Sequence, residues 1–256
     1  MATFLFDKII FGPVRSRRLG LSLGVNLLVP SAKLCNFNCI YCECGWNADS
    51  PRGAFNDADT VLERLDQKLR EMKSEGELPA VITFAGNGEP TMHPDFEKII
   101  DGTVEIRNRI APDTKIAVLS NATMIRRESV RNALLKVDRN ILKLDSAIDP
   151  TVRLINQPNA LRPVSETIEL LKLFKGRLII QTMFLRGKYE GKGVDNTTAE
   201  EVDAWLGALR EIRPSEVMLY SIDRDTPAAG LQKVSLEEME AIAQRVRGLG
   251  IKASVA

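Results

Sequence analysis

The stretch Cys35-Asn36-Phe37-Asn38-Cys39-Ile40-Tyr41-Cys42-Glu43-Cys44-Gly45 holds all four cysteines of the chain. Bridges inside so short a window would close small strained loops, which excludes a disulfide framework. Crowded thiolates repel one another unless a cation neutralises them, so the window reads as a metal site. Two metal readings compete: zinc on all four sulfurs, or an iron–sulfur cluster on the C-x3-C-x2-C of Cys35, Cys39 and Cys42 with Cys44 as a bystander. Structural zinc takes two C-x2–4-C knuckles separated by a longer loop. Here a single residue separates Cys42 from Cys44, no second knuckle follows, and the only histidine, His93, sits far downstream between Met92 and Pro94. The spacing favours the cluster. A cubane normally takes four thiolates, so three would leave one iron open to an outside ligand.

Around that window the chain has the composition of an ordinary globular protein. Of its 256 residues 44% are apolar and 27% charged, which excludes disordered and collagen-like classes. A chain of this size buries roughly 70–75% of its unfolded surface and needs no covalent staples. Lys plus Arg is 35 against 34 Asp plus Glu, a net charge of +1, so bulk charge points to no nucleic acid, membrane surface or acidic partner. The first apolar run breaks at Asp7 and Lys8, and nowhere do 18 apolar residues follow one another. The expectation is a cytoplasmic protein with no membrane span.

Short β-rich runs alternate with amphipathic ones. Strands are expected over residues 23–29, 81–85, 115–119, 141–145, 178–183 and 217–220, with a seventh over 251–255. Ala58, Val61, Leu62, Leu65, Leu69 and Met72 fall on one helical face, as do Val202, Trp205, Leu206, Leu209 and Ile212, and Leu236, Met239, Ile242, Ala243 and Val246. Thr198 and Ser235, each three residues before a glutamate, mark two helix starts, and Gly76 and Gly248 mark two ends. With no tandem repeat or linker, a single domain over residues 1–256 is expected: an extension over 1–22, a core over 23–220, and a loop, helix and short strand over 221–256. Repeated βα units build a parallel sheet, either doubly wound or closed into an incomplete barrel, and both gather their chemistry at the carboxyl ends of the strands. The polar residues obey that rule. The first strand leads to the cysteines, the second to Gly86-Asn87-Gly88-Glu89-Pro90, the third to Ser120-Asn121, the fourth to Asp145-Ser146 and the sixth to Tyr220, while Gln181 lies on the fifth.

Taken together, the cysteine motif at the end of a first strand and G-N-G-E-P after the next resemble the radical S-adenosylmethionine (radical SAM) superfamily over residues 12–227. Within it, G-P-V-R-S-R-R-L-G, C-N-F-N-C-I-Y-C-E-C-G and G-N-G-E-P-T are similar to short proteins related to wyosine-type tRNA-modifying enzymes. The resemblance implies a partial (β/α)6 TIM-like barrel of parallel strands. It implies an open-site [4Fe–4S] cluster on Cys35, Cys39 and Cys42, S-adenosylmethionine (SAM) as cosubstrate, and a 5′-deoxyadenosyl radical that abstracts a substrate hydrogen. It places Gly86, Asn87, Gly88 and Glu89 at the methionine amino group, Ser120, Asn121 and Asp145 at the carboxylate or ribose, and Tyr41 against the adenine. An external electron donor of flavodoxin or ferredoxin type is implied as well.

Wyosine-base synthases carry a second cluster on cysteines upstream of the first, and no cysteine precedes Cys35; a one-cluster enzyme is the expectation. Candidate substrate contacts are Arg15, Arg17, Arg18, Arg153, Asn156, Gln181, Tyr220 and Arg224, because guanidinium forks at one rim suit a carboxylate or phosphate. A small-molecule or nucleobase-like substrate is expected, with RNA or a peptide as the alternative. Trp46 reads as apolar cover and His93 as structural. Two other classes stand beside the enzyme: a zinc-stabilised binding module and an iron–sulfur electron carrier.

Overall fold

A computed structural model describes residues 4–16, 20–47 and 55–256. Its sheet runs β1 (Ile10–Ser16), β2 (Gly20–Val25), β3 (Val81–Phe84), β4 (Lys115–Ser120), β5 (Arg139–Lys143), β6 (Ile179–Tyr189), β8 (Glu216–Ser221) and β10 (Lys252–Val255), in that spatial order. From β2 to β10 every neighbouring pair is parallel. Three strands are antiparallel additions: β1 on β2, and β7 (Lys192–Asp195) and β9 (Leu231–Lys233) on β6.

The crossovers are helical: α1 (Ala58–Ser74), α2 (Phe96–Ile110), α3 (Glu128–Leu134), α4 (Asp149–Asn156), α5 (Val164–Lys172), α6 (Ala199–Ile212) and α7 (Leu236–Arg247). Sequence dictates where several begin. Asp57 accepts the Thr60 amide at the start of α1, Thr198 that of Glu201 at α6, and Ser235 and Glu238 form a reciprocal capping box at α7. The buried stripe of α1 runs from Ala58 through Val61, Leu65 and Leu69 to Met72 as expected, with Leu62 at its edge only partly buried.

Two faces of the sheet are buried in different ways. Ile82, Phe84, Ile116, Val118, Leu142, Ile180, Val217 and Leu219 pack outward under the helices in the main core. The alternate residues Val81, Ala117, Ile141, Ile179 and Met218 form a separate apolar cluster from five strands with no helical member. A sheet face buried without a covering helix is covered by its own curvature, which is the geometry of a partial barrel. Farther along the same inner face the residues turn polar: Thr83 on β3, Lys143 on β5, Gln181 on β6 and Tyr220 on β8.

The expected strands are present, with shifted ends, and two features differ. β1 forms inside the expected amino-terminal extension, pairing with β2 through a register shift between Phe11 and Val14. β6 runs well past Met183 because its continuation turns back at Glu190 and Gly191, both with positive φ; this two-residue turn suits the twist of a hairpin. Gly187 lets β9 approach, since a Cβ there would lie 2.2 Å from the Gly230 carbonyl oxygen. Among the described residues no helix is long and apolar enough to cross a membrane.

Candidate functional site

The four cysteines line one cleft at the carboxyl ends of the strands, together with Lys33, Tyr41, Gly86, Gly88, Glu89, Ser120, Asn121, Lys143 and Gln181. The cysteine loop is docked on the G-N-G-E-P loop. Leu34 bridges Gly88, the Leu34 amide donates to the Asn87 carbonyl oxygen at 2.8 Å, and the Glu89 amide donates to the Leu34 carbonyl oxygen at 3.0 Å. Only glycine permits this contact. Gly88 has φ +140°, and a Cβ on it would stand 1.7 Å from the Leu34 oxygen. Gly86 likewise leaves room for the Asn26 side chain.

The sulfurs differ in what they do. Cys35 Sγ accepts from the Phe37 amide and from Asn121 Nδ2, each at 3.4 Å, and Cys39 Sγ accepts from Asn156 Nδ2 at 3.4 Å. Cys44 instead donates, to the Gly86 carbonyl oxygen at 3.4 Å. Burial pushes the Cys35 thiol up to about 12, with Glu89 adding to it, and burial raises Cys39 to about 11 against the pull of Lys143. The Cys44 thiol and Lys33 draw Cys42 down to about 5, and the same contact raises Cys44. The hydrogen bonds from Phe37 to Cys35 and from Asn156 to Cys39 favour the thiolate, while burial opposes it. Among the described residues no three His, Cys, Asp or Glu side chains converge closely enough for a single ion.

Glu89 is buried at 2% exposure and takes hydrogen bonds from the Thr91 amide at 3.0 Å, the Thr91 hydroxyl at 2.5 Å and the Asn121 amide at 2.6 Å. Burial raises its pKa, with those donors opposing. Asn121 ties β4 to the cysteine loop through Asn36 Oδ1 at 2.7 Å, and Ser120 Oγ accepts the Ala122 amide at 3.1 Å. Tyr41 donates to Asp145 and accepts from Lys143 Nζ at 2.5 Å. Asp145 also takes Asn156 Nδ2 at 2.7 Å, the Met183 amide at 3.0 Å and the Lys143 ammonium at 3.3 Å. Burial would lower the Lys143 pKa, but Asp145 reverses this and holds it above its usual value.

Not every expected contact faces this cleft. Asn87 is turned away, its amide bonded to Phe6 and to the Val29 carbonyl oxygen, because the loop must anchor the amino-terminal segment. Arg15 and Arg153 are exposed on β1 and α4, and Arg224 is an exposed partner of Glu43 at 2.8 Å. None of these three lines the cleft. Arg17 and Arg18 lie outside the described residues. Gln181 does line the cleft, while Asn156 is buried behind it, bonded to Cys39 and Asp145, and Tyr220 Oη lies 3.5 Å from Lys143 Nζ. Trp46 is exposed and stands 6.1 Å from Tyr189, ring centre to ring centre. His93 is structural: its Nδ1 accepts the Asp95 amide, so Nε2–H donates to the Asn56 carbonyl oxygen. Lys33, Asn47 and Lys143 carried no signal in the sequence. Asn47 clamps the cysteine loop by donating to the carbonyl oxygens of Cys35 and Phe37 at 2.9 and 3.1 Å.

Comparison with known proteins agrees with this geometry. The Radical SAM superfamily model matches residues 29–195. The chain is 31% identical over 92% of its length to a Brachyspira hyodysenteriae protein named GTPase Obg, of which it spans 33%. It has no G-x-x-x-x-G-K-[ST] phosphate loop of its own. It is 30% identical to a UPF0026 protein of Synechocystis, covering 85% of this chain and 77% of that one. Of a Methanocaldococcus jannaschii UPF0026 protein, 30% identical over 82% of this chain, it spans 62%, so the chain covers less than two thirds of the first curated relatives it matches. Among solved structures, a radical SAM methyltransferase from Sphaerobacter thermophilus shares the fold, with TM-score 0.67 and 18% identity over 92% of this chain and 65% of that one. The cysteine window, the loop docked on it and the parallel strands beneath have one common account: the chain belongs to the radical SAM superfamily.

Proposed function

We propose that this enzyme holds an open-site [4Fe–4S] cluster on Cys35, Cys39 and Cys42 and uses SAM to abstract hydrogen from a small or nucleobase-like substrate. When bound, the cluster and SAM together supply the electron transfer that releases methionine and a 5′-deoxyadenosyl radical. The observation that carries the reading is the division of labour among the sulfurs: Cys35 and Cys39 accept hydrogen bonds within the cleft while Cys44 donates to a carbonyl oxygen.

The chain's own part is position and electrostatics. The Gly86–Glu89 loop, locked to Leu34, offers backbone and a buried carboxylate for an ammonium group. Asn121, Lys143 and Gln181 line the next stretch of the cleft and suit a carboxylate and ribose. Tyr41 closes the floor. The electron would come from a flavodoxin- or ferredoxin-type donor. The wyosine-type likeness rests on three stretches of sequence, and the cysteines of this sequence supply ligands for one cluster.

The test is anaerobic reconstitution, an iron count, and reduction by dithionite in the presence of SAM. About four irons per chain and formation of 5′-deoxyadenosine are expected. One zinc and no SAM binding would identify a binding module, and a cluster lost on Cys44→Ala would identify a closed-site electron carrier.

A further inference from the structure

Lys33 is 3% exposed, in the wall of the cleft beside the cysteines. Burying an ammonium is costly unless nearby charge answers it. Its Nζ donates to the Gly45 carbonyl oxygen at 2.8 Å, drawing residues 33–45 into a loop round the sulfurs. That bond uses one of three donors. The carboxylates of the cleft are engaged elsewhere, Glu89 by Thr91 and Asn121, Asp145 by Tyr41, Asn156 and Lys143. Lys33 shares the wall of that cleft with all four cysteines, and Gly45, whose carbonyl oxygen it holds, is the residue next to Cys44. The other lysine of the cleft, Lys143, is already paired with Asp145 at 3.3 Å. Lys33 is thus a buried cation in the wall that holds the sulfurs.

We propose that Lys33 is a positioning residue for the cluster, a fixed positive charge that raises its reduction potential. The inference rests on the cluster assignment above. One-electron reduction, with the electron drawn from the external donor, adds a negative charge to a group already carrying three thiolates. A fixed cation at low dielectric stabilises the more negative state, and charge near the sulfurs is a recognised control on such potentials.

The experiment is an EPR-monitored redox titration of the reconstituted full chain without SAM, comparing wild type with Lys33→Gln, Lys33→Met and Lys33→Arg. Gln keeps a donor for Gly45 but no charge. At a fixed solution potential both neutral variants should show a reduced-to-oxidised ratio about tenfold lower, equivalent to a midpoint about 59 mV more negative for a one-electron couple. Lys33→Arg should titrate with wild type. A Lys33→Gln midpoint equal to wild type overturns the proposal and leaves Lys33 as a tie to Gly45. Iron content is scored first. Iron lost from the neutral variants overturns the proposal, because Lys33 is then needed for the cluster to bind rather than to set its potential. Wild type that takes up no cluster would refute the cluster assignment instead.

Discussion

The phenol of Tyr41 donates its hydrogen to the Asp145 carboxylate, joining the cysteine loop to the chain after β5 across 104 residues. Lys143 sits against both, with its Nζ 5.1 Å from the centre of the Tyr41 ring. Asp145 is fully enclosed and Lys143 nearly so. Removing one member of a buried pair strands the other, at a cost of about 3 kcal/mol. Asp145→Ala should therefore lower unfolding stability in urea by about that much, and Tyr41→Phe by about 1 kcal/mol. The double variant Lys143→Met/Asp145→Leu should be more stable than Asp145→Ala alone. Additive single losses would show that the two groups do not answer each other.

At Gly88 a side chain has nowhere to go. Gly88→Ala drives a methyl into the Leu34 carbonyl oxygen, so the cysteine loop must lift away. Iron bound after reconstitution should fall several-fold. Gly76→Ala is the control: φ is +75° there but nothing lies within 4 Å of a new Cβ, so it should cost about 1 kcal/mol and keep the iron. Equal iron content in both variants would disprove the docking role of Gly88.

Cys44 faces the Gly86 carbonyl oxygen, and Cys44→Ala should retain the iron of the wild type. Alanine at Cys35, Cys39 or Cys42 should abolish most of it. Iron analysis of the four reconstituted variants decides the ligand set.

Arg224 and Glu43 form an exposed pair, their side chains 64% and 47% accessible. Such pairs contribute about 0–1 kcal/mol. Arg224→Ala should leave the urea midpoint nearly unchanged, so any kinetic effect belongs to binding. If the guanidinium meets an anionic substrate, KM rises at least several-fold while kcat holds. Unchanged kinetics would remove Arg224 from the substrate contacts.

Much of the architecture was readable from periodicity and punctuation. Strand and helix periods, the cap residues Thr198 and Ser235, and the polar residue after each strand placed the elements and the rim. The hairpin of β6 and β7 escaped because Arg186-Gly-Lys-Tyr-Glu-Gly reads as a loop until the positive φ of Glu190 and Gly191 is seen. β1 was masked by its proline and its register shift. In the site, cysteine spacing singled out the sulfurs that line the cleft, but the buried Lys33 and the largely enclosed Lys143 were invisible. Lysine is ordinarily a surface residue, and only the three-dimensional nearness of the Gly45 carbonyl to Lys33 and of Asp145 to Lys143 explains why these two leave the solvent. Asn87 shows the opposite error. It lies inside the most informative loop, yet its side chain serves the amino-terminal segment.

The span from Tyr41 to Asp145, and from Asp145 on to the Met183 amide, has a consequence for biosynthesis. A nascent chain that has emerged only through β4 already possesses its cysteines and the glycine loop that seats them, yet lacks the groups that enclose them on the far side. The pocket is finished late, after β6 has been added, and sulfur chemistry begun before that point would proceed on an unwalled, water-exposed scaffold.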